Sequence, residues 1–384
     1  MNTESFWAIF RQFFVSYPFL IAIVSFVVGM VFMPYVLRVS IRKQMVVKPN
    51  KRTSHNGNIP NVGGINIFSS FILAYFLLTT SGVAGNKHYI LAGLYFIFIV
   101  GFFDDLLAFS AKKKLIGELI AGFMLIVIAD VRLVNLQGFL GLGEIGFMFS
   151  YIVSFFLFLL ILNSLNLIDG VDGLATGIGI IISVFYGVYF MLLGNGLNKP
   201  EFIDLSIMAF ALIGSLAIFF RYNVFGKRNK IFMGDSGSLV MGYIIYIMVI
   251  YFLEINKAGA DGAPLSGDFY MRCAPAMSVA ILAVPLLDTL RVMITRIKNG
   301  HSPFKPDKNH MHHLLLSIGL KHKQVTLILC LVQLSFVGVA IATNGLRNVV
   351  LVLITVVMAT IYTMVLWRVV DKHKRIQAKK SLQL

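Results

Sequence analysis

Residues 18–37 read PFLIAIVSFVVGMVFMPYVL, twenty consecutive positions without a charged side chain. About 20 apolar residues wound as a helix cross the hydrocarbon core of a bilayer, so this stretch predicts a membrane-spanning element. Ten more runs of the same kind follow, at 62–80, 89–103, 115–129, 147–163, 174–193, 205–220, 236–253, 274–294, 325–343 and 346–370. The chain is therefore expected to be an all-α polytopic membrane protein with about eleven transmembrane helices.

Composition agrees. Of 384 residues 58% are hydrophobic and 13% charged, against roughly 25% charged in a soluble domain, which excludes a soluble globular protein. No polar block is long enough for a separate soluble domain, so residues 1–384 are expected to form one unit. A motif-bearing core runs from about 48 to 319, two helices follow at 325–343 and 346–370, and a basic tail occupies 371–384. The first run lacks a small-residue cleavage site and is expected to be retained. Twenty-six of the 33 Lys and Arg residues fall in, or at the ends bordering, the loops after odd-numbered runs and the C-terminal tail. Basic loops stay in the cytoplasm, so the N-terminus is expected outside and the C-terminus inside. The same rule accounts for the net charge of +16 without a nucleic-acid partner. Cys273 and Cys330 have no CxxC spacing and indicate neither a disulfide framework nor a zinc site. Residues 131–146, VRLVNLQGFLGLGEIG, read as a small hairpin or a plain linker on the outer side.

Chemistry is expected at the cytoplasmic ends, where the unusual carboxylates and histidines gather. GFFDDLLAF (101–109) sets Asp104 and Asp105 against apolar sequence, a costly position for ionised groups unless water, a cation or hydrogen bonds compensate. LNSLNLIDGVDGLATG (162–177) spaces Asn163, Asn166, Asp169 and Asp172 by three, with Gly170 and Gly173 permitting a break. Such a wall of oxygens without Lys or Arg suits a hard cation such as Mg²⁺, with Mn²⁺ as an alternative. In KRNKIFMGDSGSLVMGY (227–243), Asp235 precedes a span, where it can cap the helix or hold a metal facing a phosphate. VPLLDTLRVMITRI (284–297) puts Asp288 and Arg291 three apart, a structural ion pair on one helix face. The polar stretch 295–324 holds His301, His310, His312 and His313. Pro306 and Asp307 mark a helix start and Gly319 its end, which would place His310 and His313 on one face. RKQMVVKPNKRTSHNGNIPNVGG (42–64) offers Lys48, Lys51, Arg52 and His55 to a lipid phosphate or diphosphate. Acids, amides, cations and imidazoles at one membrane face point to phosphoryl transfer on a membrane substrate, a chemistry that needs positioning and charge neutralisation above all.

These segments, in this order, resemble the polyprenyl-phosphate N-acetylhexosamine-1-phosphate transferases of glycosyltransferase family 4. The likeness runs through RTSHNGNIPNVGG, GFFDD with the downstream SAKKK, NLIDGVDGLATG, FMGDSGSL, PLLDTLRVMITRI and HSPFKPDKNHMHH. The HxHH of the last is closer to the bacterial branch acting on GlcNAc-1-phosphate and undecaprenyl phosphate than to the phospho-MurNAc-pentapeptide translocase branch. The resemblance implies Mg²⁺ at Asn166 and Asp235, catalytic acids at Asp104, Asp105, Asp169 and Asp235, and substrate contacts from Asp172, Asn163, Asp288, His310, His312, His313, Arg52 and His55. It implies UDP-GlcNAc as donor, undecaprenyl phosphate as acceptor, UMP release and the start of a cell-envelope polysaccharide at the bacterial inner membrane, with dimerisation left open. The alternatives are the translocase-like transferase and, in another class, a secondary transporter. Transporter sites lie near the bilayer midplane, whereas these acids gather at one face and only Glu118 lies deep in an apolar run.

Overall fold

The computed structural model describes residues 16–43, 45–47, 59–79, 86–139, 141–227, 229–257, 266–302 and 309–381. Its helices are α1 (Leu20–Arg42), α2 (Gly63–Leu78), α3 (Lys87–Leu107), α4 (Ala111–Phe123), α5 (Phe147–Leu167), α6 (Leu174–Leu197), α7 (Pro200–Phe225) and α8 (Gly234–Ile255). There follow α9 (Ala274–Ile281), α10 (Ala283–Lys298), α11 (Met311–Ser317), α12 (His322–Ala342) and α13 (Asn348–Ser381). Among the described residues eight helices are long and apolar enough to cross a membrane, and the bent pair α9–α10 makes a ninth if counted as one span. Of the other runs expected to cross, 62–80 forms the 16-residue α2, and 115–129 forms the end of α4 and the π turn Met124–Ile128. Two antiparallel ribbons complete the fold, β1 (Val46–Val47) with β2 (Ile59–Pro60), and β3 (Asn135–Phe139) with β4 (Leu142–Glu144). The second is the hairpin that 131–146 suggested.

α1 shows how the sequence addresses lipid. Ile23, Val27, Val31 and Tyr35, four apart, are exposed, while Ile21, Ser25, Gly29, Met33 and Leu37 form the buried face. Both faces carry large apolar side chains, because lipid tails solvate leucine-like groups as well as a protein interior does, but the small Ser25 and Gly29 lie only on the buried face, where close packing decides the contact. Asn66 on α2 donates to the Gly29 carbonyl at 2.8 Å. α7 and α8, each 89% buried over its apolar stretch, form the centre, whereas only 17% of the apolar stretch of α13 is buried.

The α9–α10 pair bends by 78°. Pro285 in the first turn of α10 has no N–H to return to the Ile281 carbonyl, the usual cause of a sharp kink. The buried amide of Gln333 on α12 takes that place. Its Nε2 donates to Ile281 O at 2.8 Å, and its Oε1 accepts from Val284 N at 3.1 Å.

Three elements converge at the end of the bundle that carries the acids. Pro60 O accepts from Phe232 N, and Gly63 and Gly64 donate to Phe232 O and Met233 O, each at 2.9 Å, tying the start of α2 to the segment before α8. α3 packs so tightly on α8 that a Cβ at Gly101 would stand 2.6 Å from Ser236 Cα. The closeness of these backbones delivers Asp104 and Asp105 to the first turn of α8.

Candidate active site

A cavity of about 1230 Å³ opens at this junction, larger than the roughly 300–1,000 Å³ of ordinary small-molecule sites. Asp104, Asp105, Asn166, Asp169, Asp172 and Asp235 all line it, as does His313. Seven of the residues singled out in sequence thus meet in one place. Asn166 and Asp235, 69 positions apart, are directly hydrogen-bonded, and Asn166 Nδ2 also reaches Ser238 Oγ at 2.8 Å.

The adjacent aspartates have different surroundings. Asp105 accepts from Asp235 N at 2.7 Å, Ser236 N at 3.0 Å, Ser236 Oγ at 2.6 Å and Asn61 Nδ2 at 2.9 Å. It caps the N-terminus of α8 from a different helix, neutralising free N–H groups and the positive end of the dipole. Gly234, at φ +70°, makes room, because a Cβ there would lie 2.5 Å from Asp105 Oδ2. Asp104 keeps more of its carboxylate available: Oδ1 accepts from Phe109 N at 2.7 Å, and Oδ2 lies 3.7 Å from Lys114 Nζ.

Lys114 is the residue the sequence reading missed. Its ammonium donates to Asp235 Oδ2 at 2.8 Å and Asn166 Oδ1 at 3.1 Å while facing Asp104. Burial opposes its charge, but the Asp235 carboxylate overrides that effect and holds its pKa above the ordinary lysine value. It was hidden in the run Lys112–Lys113–Lys114, which topology alone explains. The available signal was Glu118 four residues on, since that spacing puts a lysine and an acid on one inward helix face.

The turn between α5 and α6 supplies the opposite wall. Asp169, half-buried, accepts no hydrogen bond among the described residues, and burial followed by the charges of Asp235, Asp105 and Asp172 pushes its pKa well above the usual carboxylate value. Asp172 moves the other way: burial raises it, but hydrogen bonds and charge from His322 (3.3 Å) and Lys230 (2.6 Å) prevail and lower it. Asn223 braces the turn, accepting from Gly173 N at 2.6 Å and donating to Ile231 O at 2.8 Å.

The histidines depart from the expected common face. α11 begins at Met311, so His310 lies just before it. The buried Asp288 carboxylate receives Met311 N at 3.1 Å, faces His310 Nδ1 at 3.0 Å and pairs with Arg291 at 2.7 Å. His310 therefore turns inward, His312 is 1% exposed and packs against Gly170, and His313 reaches the cavity. The rings of His310 and His312 lie 5.7 Å apart, and those of His312 and His313 4.2 Å. Burial, then the neighbouring His313, lowers the pKa of His312 to about 3, so it stays neutral at physiological pH. Asp288, His310 and His312 support the wall rather than line it. Asn163 is likewise set back, donating to the buried Glu118 at 2.8 Å. Arg52 and His55 lie outside the described residues, as do Lys48, Lys51, Pro306 and Asp307.

A polytopic helical bundle with this acid-lined cavity at one end defines a membrane-embedded enzyme-like site, and comparison with known proteins specifies its kind. Residues 88–253 match glycosyl transferase family 4. The undecaprenyl-phosphate alpha-N-acetylglucosaminyl 1-phosphate transferase of Yersinia pestis is 30% identical over 320 residues, covering 82% of this chain and 81% of that protein. The protein of the same name from Escherichia coli K12 is 28% identical over 304 residues, covering 78% and 77%. The decaprenyl-phosphate N-acetylglucosaminephosphotransferase of Mycobacterium leprae is 31% identical over 307 residues, covering 76% and 74%. The chain belongs to glycosyl transferase family 4, among the polyprenyl-phosphate N-acetylhexosamine-1-phosphate transferases.

Proposed function

We propose that the protein transfers N-acetylglucosamine-1-phosphate from UDP-GlcNAc to undecaprenyl phosphate at the cytoplasmic face of a bacterial inner membrane, releasing UMP and beginning a cell-envelope polysaccharide. The observation that carries this reading is the convergence of Asp235, Asn166 and Asp104 on one cation, the Lys114 ammonium. The three named relatives support the sugar and the lipid class.

The donor set fits a divalent ion. The carboxylate and amide oxygens that hold the Lys114 ammonium are hard ligands, and Mg²⁺ is commonly held by one or two carboxylates completed by substrate phosphates rather than by an all-protein cage. Asp235 and Asn166 would hold it, and when bound it would neutralise the diphosphate and polarise the phosphorus that is attacked.

The chain's own residues supply the remainder. An oxygen of the lipid phosphate forms a bond to the β-phosphorus of the donor, the bond from that phosphorus to the bridging oxygen breaks, and UMP leaves with the electron pair. A phosphate monoester has a second pKa near 6 and is already largely dianionic at neutral pH, so Asp104 has little proton to abstract and steers the acceptor. Asp105 fixes the start of α8, and hence Asp235. Lys114 balances charge between Asp104 and Asp235 while the diphosphate is in place. Asp172, paired with Lys230 and His322, holds the donor-side wall.

The deciding experiment incubates the purified full chain with Mg²⁺, undecaprenyl phosphate and a panel of UDP-sugars, following UMP and the lipid product. UDP-GlcNAc is expected to give both. Product only from the peptide-bearing UDP-MurNAc would favour the translocase-like reading, and no UMP from any donor would reject transfer. A phosphorylated enzyme trapped without lipid would replace the one-step route by a covalent one.

A further inference from the structure

The C-terminal residues after 370 read in sequence as a basic tail explained by topology. In the structure they extend α13 as a helix to Ser381, and one of them, Lys374, lines the active-site cavity. Its position is set by packing. Leu366 lies against the hydrophobic core and Val370 is 4% exposed. Residues four apart stack on one helix face, so Leu366, Val370 and Lys374 form a single stripe that runs from the bundle to the cavity wall beside Leu316 and Ser317 of α11.

Its neighbours on the same turns pair among themselves. Arg375 binds Asp371 at 2.9 Å, and Gln377 lies 3.0 Å from His373. Lys374 has neither an ion pair nor a hydrogen bond among the described residues. The other lysine on the cavity wall, Lys114, is engaged by Asp235 and Asp104, and Lys230 behind the wall by Asp172. Lys374 is thus an exposed cation at the cavity wall with no counter-ion among the described residues. Trp367, seven residues earlier, is exposed and of a type that settles at the membrane interface, which sets Lys374 about 10 Å further along the helix axis, at 1.5 Å per residue. That is the depth of headgroups and water, where phosphoryl groups reside.

Resting on the transferase reading, we propose that Lys374 binds a phosphoryl group of a substrate, so that the end of α13 is part of the active site. Charge and a flexible ammonium suffice for such contact, and the shared chemistry is a phosphoryl oxygen, whether of the nucleotide diphosphate or of the lipid phosphate.

The test compares the full chain with Lys374→Gln, Lys374→Glu and Lys374→Arg, using Lys372→Gln as a control on a different face of the same helix. Steady-state rates are measured with UDP-GlcNAc varied at saturating undecaprenyl phosphate and the reverse, alongside titration calorimetry with UDP-GlcNAc and with undecaprenyl phosphate in nanodiscs. Lys374→Gln is expected to raise one KM by about three- to tenfold with kcat within twofold, Lys374→Glu to raise it further, and Lys374→Arg to restore it, as a charge-assisted contact requires. A rise in the donor KM assigns the diphosphate, and a rise in the acceptor KM assigns the lipid phosphate. Both constants within twofold of wild type in Lys374→Glu would overturn the proposal. Should the wild type fail to turn over, the transferase reading fails by itself. The calorimetry then decides the site, which stands if Lys374→Glu weakens binding of either compound and falls if it does not.

Discussion

Replacing Asp104 and Asp105 separately by asparagine tests whether two adjacent identical residues do different work. In Asp105→Asn one of the two acceptor oxygens becomes an NH₂, so either Asp235 N or Ser236 N loses its partner at the start of α8. Leaving a buried donor unpaired costs about 1–3 kcal/mol, and removing the negative charge from a helix N-terminus in a partly buried setting costs up to about 2 kcal/mol more. The expected loss is about 1–5 kcal/mol in total. At about 2–4 °C per kcal/mol for a 150–250-residue domain, and less for a longer chain, the midpoint should fall on the order of 5 °C. Asp104→Asn keeps a carbonyl oxygen for Phe109 N and an amide that can still bond to the neighbouring Asp235 side chain, and gives up the ion pair with Lys114 at 3.7 Å, so its midpoint should stay within about 2 °C. Its turnover should nevertheless fall at least tenfold. Thermal unfolding in detergent, read by intrinsic fluorescence beside UMP release on the same preparations, measures both. A wild-type midpoint for Asp105→Asn together with a large drop for Asp104→Asn would refute the capping assignment.

Other outcomes follow from the same geometry. Lys114→Met leaves Asp104 and Asp235 facing each other without a cation between them and should cut UMP release at least tenfold with the chain still folded by size-exclusion chromatography; near-normal turnover would remove Lys114 from the site. His312 has a native pKa lowered to about 3, so between its unfolded value of about 6.5 and that point the unfolded chain binds the extra proton and stability falls as pH drops, by about 1.4 kcal/mol per pH unit. Comparing midpoints at pH 7.5 and 5.5, His312→Gln should show a smaller decline than wild type, and an equal decline would contradict the buried neutral imidazole. Asp288→Ala strips Met311 N of its acceptor and His310 of its partner, which should destabilise the chain by about 1–3 kcal/mol and raise the donor KM through a displaced His313; unchanged stability would mean that Asp288 does not anchor α11.

The bundle was legible because lipid imposes one rule over long stretches: the expected apolar runs fall on helical segments, although 115–129 ends in a π turn and 274–294 is divided between α9 and α10, and eight or nine spans stand among the described residues in place of eleven. The meeting of Asn166 with Asp235 was legible through the family resemblance, which set both at one ion, whereas the wall of oxygens alone did not announce that Lys114 would be the cation between them. The division of labour between Asp104 and Asp105 was not, because the donors that engage Asp105 sit 130 and 131 positions away. Nor was the inward turn of His310. Helix-start signals near Pro306 and Asp307 are local, whereas Asp288 is 22 residues upstream and reaches His310 only through the tertiary fold. The bend within 274–294 was not legible either: that run was expected to cross as one helix, and its break at Pro285 is completed by Gln333, a polar residue in the middle of an otherwise apolar run.

That glutamine also orders events in time. Its amide completes the backbone of the broken helix from 52 positions further along the chain, and an unsatisfied carbonyl in hydrocarbon costs several kcal/mol. While the polypeptide is being threaded into the bilayer, the bend has no partner until α12 has been inserted. The bent crossing cannot complete its backbone from its own residues, and a later helix acts as a mould for an earlier one.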